Sequence, residues 1–159
     1  MKEKILPILY HFKGDESVLD VGCGDPSVFV QWEAGQYPDI NYRGLDLKRG
    51  QEWSCITPPN VDIIVANDLF PNVDQRLALF LEKYLPHCRE MRLSLTYFDG
   101  PKWYQAKRLD GDEVLTVSAW TWAQIAHVLT GYPVIRKEQF KGIFANGRSV
   151  MLVWLKGGL

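Results

Sequence analysis

The run Ser17-Val18-Leu19-Asp20-Val21-Gly22-Cys23-Gly24 constrains this 159-residue chain more than any other stretch. An apolar segment runs into an aspartate, and two glycines follow at alternate positions. The segment predicts a strand over residues 17–21. The glycines predict a sharp turn at its end, because a residue without Cβ accepts positive φ and lets another group approach the backbone. Two further segments end in polar groups at suitable distances. Asn41-Tyr42-Arg43-Gly44-Leu45-Asp46-Leu47 predicts a strand over 41–46, and Val61-Asp62-Ile63-Ile64-Val65-Ala66-Asn67-Asp68 one over 61–67. The second is a nearly continuous apolar run, as expected of a strand buried on both faces. Three strand ends bearing polar groups, at the carboxyl edge of a parallel sheet, suit a nucleoside-like ligand.

The rest of the chain alternates helix and strand. A short apolar stretch over 4–12, interrupted by Pro7, predicts a helix packed on the sheet. Asp25 and Pro26 suit the N-cap and first turn of a helix carrying Val28, Phe29 and Trp32. Residues 48–59, with Gly50, Pro58 and Pro59, predict a loop with at most a stunted strand near 53–56. Asn72 is expected to cap a helix over 73–85, whose apolar residues Val73, Leu77, Phe80, Leu81 and Leu85 recur at helical spacing. A strand over 89–97 follows. Residues 103–118 predict a hairpin insertion turning at Asp110-Gly111. A helix over 121–129 ends near Gly131. Strands over 134–140 and 149–155, joined by a short turn, should pair antiparallel. This order predicts one α/β domain over 1–159, with a doubly wound, mostly parallel sheet closed by an antiparallel C-terminal strand.

Composition narrows the function classes. Hydrophobic residues make up 47% and charged residues 23%, as in a globular chain with a real core. The formal net charge of −1 argues against a general nucleic-acid binder. Cys23, Cys55 and Cys88 form no CxxC pair, which argues against a zinc site. Their odd number favours reduced thiols and a cytoplasmic setting. No apolar run is long enough to span a bilayer, and Met1–Pro7 lacks a signal-peptide core.

The quoted residues resemble the class I S-adenosylmethionine-dependent methyltransferase family. Val18-Leu19-Asp20-Val21-Gly22-Cys23-Gly24 is similar to that family's first motif, an apolar pair, an acid and Gly-x-Gly. Asp46, followed by Leu47, stands where the family places the acid that binds the ribose hydroxyls. Asn67 and Asp68 fall at the end of the family's fourth strand, near the methionine part of the ligand. The closing antiparallel pair also fits. The resemblance implies a Rossmann-like sheet and S-adenosylmethionine as cofactor. It further implies cofactor contacts from Asp20, Val21, Gly22, Cys23, Gly24, Asp46, Leu47, Asn67 and Asp68. Two features depart from the pattern: Pro26 replaces a frequent third glycine, and the third-strand region is shortened. Trp53 or Ile56 is the expected replacement for adenine contacts from that region.

The expected reaction is methyl transfer to a small-molecule acceptor. A nicotinamide-binding fold is the nearest rival, but it favours Gly-x-Gly-x-x-Gly, and Ser27 occupies the last position. Asn67-Asp68-Leu69-Phe70 shares only its first and last residues with the Asn-Pro-Pro-Phe/Tyr motif of amino-directed enzymes, so it does not identify the acceptor. No residue stands out as a general base; Asp68, Tyr97 and Tyr104 are the candidates. Trp103 and Tyr104, on a hairpin expected to overhang the strand ends, and Tyr97 are the expected acceptor contacts. His127, inside an apolar helical stripe, reads as structural. The alternative function is a methyltransferase-like cofactor-binding or scaffold protein with weak or no catalysis. The acceptor atom and the oligomeric state stay open.

Overall fold

The computed structural model describes residues 2–24, 37, 39–100, 102–107 and 113–159. The helix expected from Pro26 and the Asp110-Gly111 turn lie outside the described residues. In chain order the elements are α1 (Lys2–Leu9), β1 (Ser17–Val21), β2 (Asn41–Leu45), β3 (Val61–Asn67), α2 (Leu77–Tyr84), β4 (Cys88–Tyr97), β5 (Lys102–Lys107), β6 (Val114–Ala119), α3 (Trp122–Leu129), β7 (Val134–Phe140) and β8 (Ser149–Lys156). Six strands form one sheet in the order β2-β1-β3-β4-β8-β7. The first four run parallel, and β8 pairs antiparallel with both β4 and β7. β5 and β6 make a separate two-stranded sheet.

The side-chain alternation of the strands builds a core on each face. Leu19, Val21, Ile64, Ala66, Leu93, Leu95 and Val153 point to the face covered by α2 and α3. Val18, Ile63, Val65, Val150 and Leu152 point to the face covered by α1. On β4 that second face is polar. Arg92, Ser94 and Thr96 are buried there, between the apolar residues of the other face. Arg92 closes the C-terminal end of α1: its Nη1 donates to the carbonyls of Leu9 at 3.1 Å and His11 at 2.6 Å. These are helix-end acceptors that the helix cannot satisfy itself.

Three expectations about local structure need correction. The stretch over 48–59 is a loop, as expected, but without the stunted strand near 53–56. Two 3-10 turns, Leu47–Arg49 and Trp53–Cys55, occupy the region instead. They drive Trp53 into the core against Phe70, Phe80 and Tyr84, with ring centroids 5.3–6.0 Å away. Its indole N–H donates to Asp74 at 2.9 Å, and the Tyr84 hydroxyl donates to its carbonyl at 2.6 Å. One buried aromatic thus fastens the segment to the core. Trp53 is buried, with the Arg76 guanidinium 4.6 Å from its ring centroid, and of the two residues expected to meet an adenine only Ile56 is left half-buried.

The helix after β3 begins at Leu77, not Val73, and Asn72 does not cap it. Asp74 takes the turn over by accepting the Arg76 N–H at 3.0 Å, and Val73 is exposed. Helical spacing over 73–85 included a residue that belongs to the preceding turn. His127 is exposed rather than part of the apolar stripe of α3, which buries Ile125 and Leu129. The start of α3 is as expected, with the Gln124 carboxamide accepting the Thr121 N–H at 2.8 Å. Among the described residues no helix is long and apolar enough to cross a membrane.

Candidate functional site

The carboxyl ends of β1, β2, β3 and β4 lie side by side, and most of the candidate residues gather there. Gly22 and Gly24 both have positive φ, +71° and +65°, which only glycine adopts at little cost. A Cβ on Gly22 would also sit 3.0 Å from the Leu69 side chain, whereas one on Gly24 would meet nothing within 4 Å. The turn is fastened to the end of β2. The N–H groups of Gly22 and Cys23 donate to the Leu45 carbonyl at 2.7 and 3.2 Å. The Gly24 N–H donates to Asp46 Oδ2 at 2.7 Å. Asp46 Oδ1 accepts the Lys48 N–H at 2.9 Å and so caps the next 3-10 turn. Asp46 and the glycine turn, matched only by motif spacing in the sequence, are thus in direct contact. All three N–H groups of the turn are engaged by β2 and its end.

Asp20 sits beneath this turn, 2% exposed. Its Oδ2 accepts the hydroxyls of Tyr10 at 2.9 Å and Tyr42 at 2.7 Å. Its Oδ1 is buried with no hydrogen-bond partner among the described residues. Burial pushes the Asp20 carboxyl up to about 7, against the pull of the two hydroxyls, and Asp46 adds to the rise. Burial also raises the Cys23 thiol to about 11, so it is a protonated, unreactive neighbour at neutral pH. Gly44, opposite Asp20 in the β1–β2 register, leaves the room Cys23 needs: a Cβ there would lie 2.6 Å from Cys23 Sγ.

The end of β3 is wired to β4. Ser94 Oγ donates to Asn67 Oδ1 at 2.7 Å and accepts the Asp68 N–H at 2.8 Å. Asp68 has φ +53°, a strained conformation for a residue with a Cβ and one that gathers at functional sites. Its carboxylate accepts Asn72 Nδ2 at 3.3 Å and is also bonded to Thr96. Burial raises its carboxyl, and Arg148 pulls the other way. Asn67 and Asp68 therefore lie at the expected edge, but Asn67 spends its carbonyl oxygen on Ser94.

The remaining candidates are less concentrated. Val21 is buried in the core, while Leu47, next to Asp46, is half exposed. Tyr97 is buried, its hydroxyl accepting Gln139 Nε2 and its ring 5.7 Å from that of Trp122. Trp103 is 70% exposed on the hairpin. The side chain of Tyr104 lies outside the described residues. The hairpin stands at the carboxyl edge. Lys102 lies over the Phe98 ring, the Phe98 N–H donates to the Trp120 carbonyl at 2.9 Å, and Gln75 donates to the Ser118 carbonyl at 2.6 Å. Tyr10, Tyr42, Ser94 and Thr96 escaped the sequence reading. The last two had a signal, because polar residues on every second position of an otherwise apolar strand require partners on one face.

No family model matches the sequence, and no curated protein matches it either. Solved structures do match its fold. A coclaurine N-methyltransferase bound to N-methylheliamine and S-adenosylhomocysteine superposes with a TM-score of 0.67 at 12% identity, over 96% of this chain and 71% of that one. The fold is that of the S-adenosylmethionine-dependent methyltransferases. An O-methyltransferase of a Brevibacillus brevis polyketide multienzyme, in complex with S-adenosylhomocysteine, gives 0.67 at 14% identity over 98% and 71%. A putative S-adenosylmethionine-dependent methyltransferase from Listeria monocytogenes gives 0.64 at 12% identity over 98% and 97%. The methyltransferase fold accounts for the strand order and for the antiparallel β8 between β4 and β7. Between β2 and β3 this chain forms no strand among the described residues, and Trp53 fastens that segment to the core.

Proposed function

We propose that this chain binds S-adenosylmethionine across the cleft between the Gly22–Gly24 turn and Asp46, and transfers its methyl group to a small-molecule acceptor. The observation that carries the reading is the pair of carboxylates flanking the turn. Asp20 keeps one buried oxygen without a partner. That oxygen suits the ammonium end of an amino-acid ligand, directly or through a water, since an orphaned buried acceptor is costly until a donor reaches it. Asp46 is half-buried, and each of its oxygens has a second lone pair for a ribose hydroxyl. With the N–H groups of the turn engaged, its carbonyls are the groups left for the ammonium. Leu47 offers apolar surface beside Asp46 for the adenine, the role expected of Trp53. The solved structures of this fold that carry S-adenosylhomocysteine support the choice of ligand.

The cofactor, when bound, supplies an already activated methyl group, so position does most of the chemistry. Asp68 is the best-placed group to accept a proton from the acceptor: it is strained, bonded through its main chain to Ser94, and its carboxyl is raised. Tyr97 is buried and engaged by Gln139, which makes it a wall of the pocket rather than a base. The β5–β6 hairpin, with exposed Trp103, covers the acceptor side. The three free cysteines fit a reducing, cytoplasmic setting. A second reading, cofactor binding without catalysis, is favoured by the lack of a strand between β2 and β3 among the described residues.

Titration calorimetry with S-adenosylmethionine and S-adenosylhomocysteine, followed by a screen of metabolite pools for methylated product, tests both readings. Binding with product supports the enzyme, binding without product supports the second reading, and no binding overturns both in favour of a methyltransferase-like scaffold. Replacing Trp103 and Tyr104 with alanine should raise the acceptor KM and spare cofactor affinity. Equal loss of both, in a folded protein, refutes the assignment of the hairpin.

A further inference from the structure

Arg148 is a cation whose Nε the fold leaves without a partner among the described residues. It closes the β7–β8 connection, immediately before Ser149, which pairs with Tyr97 at the carboxyl end of β4. It therefore stands at the same edge as Asp68 and Thr96, and its charge acts on the Asp68 carboxyl. The connection holds it firmly. The Phe144 N–H donates to the Arg148 carbonyl at 3.2 Å, the Gly147 N–H to the Phe144 carbonyl at 3.0 Å, and the Arg148 N–H to Asn146 Oδ1 at 3.1 Å. The Gly142 N–H reaches Ser149 Oγ at 2.9 Å. The guanidinium lies over the Phe144 ring, 4.1 Å from its centroid. Its Nε is buried and has no hydrogen-bond partner among the described residues.

A buried, unsatisfied donor on a held cation is costly, and the buried Arg92 of β4 avoids that state. Arg92, on the same face, spends its Nε on Glu90 at 2.7 Å and its Nη1 on two carbonyls. The Asp68 carboxylate is bonded to Thr96 and Asn72, and Arg148 acts on it through its charge. A guanidinium edge with Nε free matches the two oxygens of a carboxylate or phosphate, which take parallel hydrogen bonds from it. We infer that Arg148 binds an oxyanion on the methyl acceptor, so that the acceptor is a small carboxylate- or phosphate-bearing molecule whose nucleophilic N–H or O–H faces Asp68. This rests on the methyl-transfer reading above and adds the substrate class to it. Phe144 supplies the flat apolar support that keeps the fork in plane.

The test uses the full chain and NMR, following the side-chain Nε–H resonance of Arg148 and the amides of Gly22 and Gly24. Acetate and inorganic phosphate are titrated separately into the protein, with and without S-adenosylhomocysteine. The Arg148 resonance should move saturably with one of the two anions, and which one it is separates a carboxylate from a phosphate acceptor. Arg148→Gln should weaken that binding by about tenfold or more, and Arg148→Lys should restore part of it, since the charge remains but the fork is lost. An Arg148 resonance indifferent to both anions, or equal binding by Arg148→Gln, overturns the inference. The glycine amides report S-adenosylhomocysteine independently. If they fail to respond while Arg148 binds an anion, the methyl-transfer reading falls and the anion site stands.

Discussion

Asp20 makes this fold pay for its site in a way that can be measured. The carboxyl is ionised above pH 3.8 when exposed, but burial in the folded chain raises it to about 7. Between those values the folded state holds a proton that the unfolded state has released. The contribution of Asp20 to folding stability is therefore complete below the lower value and is lost as pH rises through the higher one. At about 1.4 kcal/mol per tenfold change in proton activity, the loss sums to about 4 kcal/mol over the whole window and about 3 kcal/mol between pH 5 and pH 8. Asp20→Asn is neutral throughout and keeps an oxygen for the Tyr10 and Tyr42 hydroxyls. Urea unfolding of both proteins at pH 5, 6, 7 and 8 measures the difference directly. The variant should gain on the wild type as pH rises, by about 3 kcal/mol across the series, while its affinity for S-adenosylmethionine falls. Taking the difference removes Asp68, whose raised carboxyl drifts the same way in both proteins. Parallel stability curves across pH 5 to 8 refute the reasoning, whatever happens to cofactor affinity.

Three other outcomes follow from the same geometry. Asp46→Ala removes the acceptor of the Gly24 and Lys48 N–H groups, and calorimetry should show S-adenosylmethionine binding weakened by about 1–3 kcal/mol. Unchanged affinity would detach Asp46 from the cofactor. Trp53→Phe loses the indole bond to Asp74 and should cost about 1 kcal/mol of stability in urea, with S-adenosylhomocysteine affinity unaltered. A large loss of affinity would instead return Trp53 to the adenine pocket. Gly44→Ala forces Cys23 Sγ aside and should disturb the glycine turn, measured as lost cofactor affinity. Adding Cys23→Ala should recover much of that loss, and strictly additive effects would rule out the contact as the cause.

The strands were legible because burial imposes period and run length on them. β1, β3, β7 and β8 lie within a residue or so of the spans read from apolar patterning. The positive φ of Gly22 and Gly24 followed from their being glycines after an acid. The start of α2 was not legible, because Asp74 and Trp53 decide it across a 21-residue gap that local spacing does not see. The same holds for Asp20, whose partners come from Tyr10 before it and Tyr42 after it. Local chemistry along the chain determined the alternation of elements, the bend after β1 and the acids near it, since each depends on a residue and its immediate neighbours. Only the tertiary structure decided that Asp46 clasps Gly24, that Trp53 fills the core instead of a ligand pocket, and that Arg148 is left at the edge with Nε unmatched. Each of those outcomes is set by which distant groups packing brings within hydrogen-bond reach, and by which it leaves without a partner.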